Sequence, residues 1–181
     1  MKSALFILLL MLPGLSYSNQ KPYAKLIQQA LDKQPPLCLG ELQWPVSMAQ
    51  GESAWVYARM AALMEVGLVT DKGQSATKQW SLTPQGKKEF NKKNDFCYGT
   101  IRVNQIEKII KNDDGTLSVI FDYRIENLPE WATAPAIRGA YSDVDNLVTG
   151  IKNARYQADF ARQASGAMAI IGEPYQLDLF Y

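Results

Sequence analysis

"GLVTDKGQSATKQWSLTPQGKKEF", residues 67–90, decides how the first half of the chain is read. Gly67 stands where a glycine commonly ends a helix, because a residue without a Cβ enters the left-handed conformation freely. Leu68-Val69 and Gln79-Trp80-Ser81-Leu82 then predict a β-ribbon around the polar loop "TDKGQSATK". Thr83 caps a new helix, Pro84 takes its first position, and Phe90 turns inward. Helix end, ribbon and capped helix in this order read like the end of a winged helix.

Two helices precede that stretch. In "AWVYARMAALMEVG", Ser53 is the cap, and Val56, Met60, Ala61, Leu63 and Met64 make a broad apolar face. Further back, "PYAKLIQQALDKQ" places Tyr23, Leu26, Ile27, Ala30 and Leu31 on one stripe, and Pro35-Pro36 ends the helix. The segment "LCLGELQWPVSM" between them is a loop or short strand. Helix, helix, ribbon and helix over residues 22–93 follow the plan of helix-turn-helix relatives.

After "NKKND" the apolar period changes from 3.6 to 2. Residues 98–111 predict a strand whose phase slips near Asn104-Gln105, the mark of a bulge. "NDDGT" is a hairpin turn, and Leu117, Val119, Phe121, Tyr123 and Ile125 alternate along its partner. Two further strands are expected at about 152–162 and 168–180. Between the two strand pairs, "LPEWATAPAIRGAYSDVDNLVTG" is an excursion broken by Pro129 and Pro135. The chain is thus expected to be α+β, a helical winged-helix-like N-terminal part (19–95) followed by a four-stranded antiparallel sheet (96–181).

Residues 1–18, "MKSALFILLLMLPGLSYS", have the three parts of an export signal, with cleavage expected after Ser18. Their apolar run is shorter than the roughly 20 residues a spanning helix needs. The expected mature chain is therefore periplasmic and not inserted in a membrane. Cys38 and Cys97 both survive cleavage, and an exported pair predicts a disulfide. A reactive or metal-binding pair is the alternative, but neither cysteine has a CxxC spacing or a cluster of ligands nearby.

Charge and composition narrow the function. The chain has 19 basic and 18 acidic residues, and the leader holds one of the basic ones, Lys2. A neutral mature chain has no long-range field to gather phosphates, so nucleic acid is not an expected partner. The helix that could enter a groove carries Arg59 and Glu65 and is otherwise apolar. Lys87, Lys88, Lys92 and Lys93, with Glu89 between them, read as a solvated helix face. A winged-helix plan without a basic reading surface is a scaffold.

The sequence contains no histidine. That removes His-based triads, His-ligated zinc and the usual general base near neutral pH. Carboxylate or Ser-Lys chemistry stays open, but no cofactor, no metal and no catalytic residue is assigned. Asp143, Asp145 and Asn146 in "SDVDN" lack the glycine and distal glutamate of a calcium loop, and read as a turn or cap. The excursion is the better candidate. Trp131 and Tyr141 could line a pocket or partner surface there, or Trp131 could simply cover the open end of the sheet.

"WSLTPQGKKEF", "DFCYGTIRVNQIEKI", "VIFDYRIENLPEWA" and "PAIRGAY" run in an order that resembles small exported bacterial proteins. Some of these are accessory proteins of carbapenem gene clusters. The resemblance covers much of residues 80–141, and its motifs are structural, so it carries over no functional residue. It implies a periplasmic two-part fold and a link to carbapenem biosynthesis or tolerance. The functional expectation is a non-enzymatic periplasmic binding or protective protein that takes a small molecule. The alternative is an inhibitor or immunity protein acting on a cell-envelope enzyme or toxin through residues 128–150.

Overall fold

The computed structural model of the protein describes residues 20–49, 51, 53–73 and 77–177. The expected signal, residues 1–18, and the end of the last expected strand lie outside the described residues. Helix α1 (Lys21–Leu31) is followed by strands β1 (Leu37–Cys38) and β2 (Val46–Ala49) and helix α2 (Ala54–Glu65). Strands β3 (Val69–Asp71) and β4 (Thr77–Leu82) and helix α3 (Pro84–Phe90) complete the first half. The second half holds β5 (Cys97–Lys111), β6 (Leu117–Glu126), α4 (Glu130–Thr133), α5 (Pro135–Ala140), α6 (Ser142–Thr149), β7 (Arg155–Arg162) and β8 (Met168–Gln176).

The strands form two antiparallel sheets, one in the order β1-β5-β6-β7-β8 and a smaller one in the order β2-β4-β3. The large sheet follows the alternation read from the sequence. Val119, Phe121 and Tyr123 of β6 face the same core as Ala158 and Phe160 of β7, all fully buried. At the β5–β6 turn, Asp114 accepts the Thr116 N–H at 2.9 Å and its hydroxyl at 2.7 Å. The expected bulge lies between Val103 and Gln105. Asp122 fills it, accepting the Gln105 N–H at 2.7 Å and the Asn104 side-chain amide.

Helix α1 packs onto this sheet. Ile27 and Leu31 are buried against its inner face, and Tyr23 meets Phe160 edge-on at 5.2 Å. Gln28 acts as a substitute strand at the open edge of β5: its side-chain oxygen accepts the Val103 N–H at 2.9 Å, and its amide reaches the Ile101 carbonyl at 3.4 Å. The winged-helix expectation is corrected on this point. Helix α1 does carry an apolar stripe, but a stripe does not name its partner, and the sheet, not α2 and α3, takes it.

The local signals of residues 53–90 do hold. Ser53 accepts the Val56 N–H, Thr83 accepts the Gly86 N–H at 2.9 Å, and Gly67 has φ +75°. Gly86 is required by close packing, because a Cβ there would stand 1.8 Å from the Leu68 carbonyl oxygen. The ribbon gains a third strand, β2, which pairs with β4 from Val46 opposite Trp80 to Ala49 opposite Thr77. The expected four-stranded sheet is likewise corrected to five strands, since β1 joins β5 with Cys38 opposite Cys97. A two-residue strand is too short to show any period.

Cys38 and Cys97 are bonded to each other. The excursion is a helical cap: Ala132, Ile137, Tyr141 and Val144 enter a second core with Met60, Leu63, Trp80 and Phe96. Leu37, Leu128, Leu147 and Val148 pack against both cores and join them. Among the described residues, no helix is long and apolar enough to cross a membrane.

Candidate functional site

Trp131 sits in the first turn of α4, whose N-cap, Pro129, is extended with ψ 153°. Its indole meets the fully buried Phe96 at 6.1 Å between centroids, and Trp44 and Phe90 surround Phe96 on other sides. The indole Nε1 is buried and has no hydrogen-bond partner among the described residues. What Trp131 shows to solvent is therefore carbon, not its N–H.

A hollow of about 450 Å³ lies beside it, walled by Val66 and Leu68 after α2, Gln85 and Glu89 on α3, and Pro129, Glu130, Trp131 and Ala134. A second hollow of about 280 Å³ shares Glu89 and Pro129 in its wall. Pro36, Cys97, Gly99, Thr100 and Asn127 form its floor and far side, with Lys92 and Lys93 at the rim. The disulfide brings Pro36 beside β5 and so helps make this floor. Gly99 adopts φ +132°, and a Cβ there would stand 2.4 Å from the Glu126 carbonyl oxygen. Lys92 pairs with Glu89 at 2.6 Å.

Tyr141 lines neither of these hollows. It is 4% exposed in the second core, and its hydroxyl donates to Glu41 Oε1 at 3.0 Å. Arg59 pairs with the same carboxylate oxygen at 3.2 Å, and its guanidinium stands 4.9 Å from the ring centroids of both Tyr141 and Trp55. Burial, and then the Glu41 carboxylate, push the Tyr141 hydroxyl far above the ordinary tyrosine range. It stays a neutral donor. Trp131 and Tyr141, paired by the sequence reading, thus pack in the same core, but of the two it is Trp131 that lines a hollow. Asp95, by contrast, is a structural acceptor that takes the backbone N–H groups of Gly40, Glu41 and Phe96.

A third hollow, of about 530 Å³, lies between the start of α1 and the sheet and is walled by Pro22, Tyr23, Leu26, Ile109 and Met168. Among the described residues it has no charged side chain in its wall and little to orient a ligand. Among the described residues, no group of three or more His, Cys, Asp and Glu side chains is placed to hold a metal ion.

Sequence reading missed Pro36, Gly99, Thr100 and Asn127, which come from segments far apart in the chain. It saw Lys92 and Lys93 but assigned them to a solvated face. The available signal was their position just before Cys97, once Cys97 is joined to the chain that follows Pro36. No family profile, no curated protein and no solved structure matches the chain.

Proposed function

We propose that the chain is a non-enzymatic periplasmic binding or protective protein, and that a small molecule occupies the adjoining hollows between α3 and α4. The observation that carries this reading is the hollow beside Trp131, where the half-buried ring, Val66, Leu68, Pro129 and Ala134 stand with three polar side chains, Gln85, Glu89 and Glu130. Its volume falls within the roughly 300–1,000 Å³ of small-ligand sites. The export reading of residues 1–18 and the disulfide support the periplasm. The proposed link to carbapenem biosynthesis or tolerance rests on the sequence resemblance alone. Deleting the gene is expected to change sensitivity to a carbapenem, and the purified chain to retain one in equilibrium dialysis. If neither happens, the antibiotic part of the proposal is wrong.

A second reading, an inhibitor or immunity protein of the cell envelope, finds support away from the excursion. Leu42 is 65% exposed and Trp55 57% exposed, linked through the Arg59–Glu41 pair. Exposed aromatic and aliphatic groups of this kind anchor protein partners. The excursion turns its own apolar side chains into the core, so it offers less for such a contact. A stoichiometric protein recovered with the chain from periplasm, and lost with Trp55→Ala, would favour this second reading over the first.

A further inference from the structure

The two adjoining hollows differ in charge. The one floored by Pro36 and Cys97 has Lys92 and Lys93 at its rim, and Glu89 answers only Lys92. Lys93 makes no ion pair among the described residues. The hollow beside Trp131 has the carboxylates of Glu89 and Glu130 in its wall and, among the described residues, no basic side chain. Glu130, like Lys93, has no ionic partner among the described residues.

Trp131 sharpens the polarity. Because its N–H is buried, it cannot donate to an acceptor in the hollow. Ring carbon beside carboxylates accommodates an apolar or cationic group and disfavours an anionic one. A single surface ammonium is well hydrated and selects little. Here two regions of opposite sign share Glu89 and Pro129 as a common wall, so one molecule crossing that wall meets both. The chain as a whole is nearly neutral, which makes this polarity a local property of the site.

We infer that the ligand of these hollows is dipolar, with an anionic group at Lys93 and a cationic group against Trp131 and Glu130. This rests on the proposed small-molecule role and adds the chemical class of the ligand and its orientation. Amino-acid-like and short peptide-like molecules, with an amine at one end and a carboxylate at the other, have this form.

The test uses trialanine, N-acetyl-trialanine and trialanine amide, titrated into the mature chain and followed by calorimetry and by backbone amide shifts. An extended tripeptide separates its terminal charges by up to roughly 10 Å. The free tripeptide is expected to shift the amides of Thr100 and Trp131, and each blocked form to bind at least about threefold more weakly. Lys93→Gln should erase the difference between tripeptide and amide. Glu130→Gln should erase the difference between tripeptide and acetyl form. Both side chains are exposed, so neither substitution disturbs the core. Equal binding of all three peptides would overturn the dipolar assignment and leave the binding role standing. Silence of all three, with a carbapenem still shifting Trp131, would do the same. Silence of the peptides and the carbapenem alike would overturn both.

Discussion

The two cores of this molecule are built from different kinds of sequence. The core between α1 and the large sheet is made by regular alternation, with Val119, Phe121 and Tyr123 on one strand and Ala158 and Phe160 on its neighbour. The core around Phe96 is assembled from α2, the small sheet, the chain before β5 and the capping helices of the excursion. The first is ordered by period, the second by single anchors. The candidate hollows lie beside the second, as expected where short segments meet at irregular angles and leave gaps between them.

The largest effects should come from emptying either core. Phe96→Ala and Phe121→Ala each remove a fully buried ring and are each expected to lower stability by about 3–5 kcal/mol. Because Leu37, Leu128, Leu147 and Val148 belong to both cores, urea unfolding of either variant should remain one transition. Two separate transitions in Phe96→Ala would show that the cores are independent. Next comes the bridge. Its cysteines lie 59 positions apart and hold β1 against β5. Replacing both by Ser should lower stability by about 2–5 kcal/mol. Labelling of two free thiols in the unfolded, unreduced protein would contradict the bridge itself.

A smaller effect concerns tyrosines in both cores. Burial raises the hydroxyls of Tyr98 and Tyr156 from the ordinary 10.0 to about 12, and those of Tyr123 and Tyr141 further. With folded values raised, the unfolded chain loses these protons first. Stability is therefore fully present below pH 10 and falls as pH rises towards and through 12, by about 1.4 kcal/mol per pH unit for each proton. Tyr141→Phe should lower stability at pH 7 by about 1.5–3 kcal/mol, since it removes a bond to a carboxylate. The same variant should flatten the alkaline fall by one proton. An unchanged slope would place the Tyr141 hydroxyl in water.

The regular core was largely legible in the sequence. Alternation located β5 to β8 to within a few residues, and the slip in phase at Asn104-Gln105 located the bulge. Caps did the same for α2 and α3, because Ser53 and Thr83 act on N–H groups three residues away. What failed was assembly at a distance. The stripe on α1 fits a sheet or a helix equally well, and β1 and β2 are short strands whose partners lie 28 or more residues later in the chain. The site was legible only in Trp131, a large apolar residue in a proline-broken segment. Tyr141 looked equivalent in sequence, but the Glu41 and Arg59 that claim it come from other segments.

The most direct measurement of the central claim is an amide-shift titration of the isotope-labelled chain, residues 19–181, with a carbapenem. The account predicts saturable shifts confined to Gly99, Thr100, Asn127, Glu130 and Trp131, which border the hollows between α3 and α4. Trp131→Ala should weaken them about tenfold or more, consistent with removal of a ring from the wall of a small-ligand site. An absence of shifts at the solubility limit would remove the antibiotic part alone, and shifts gathered instead around Leu42 and Trp55 would contradict the assignment of the site.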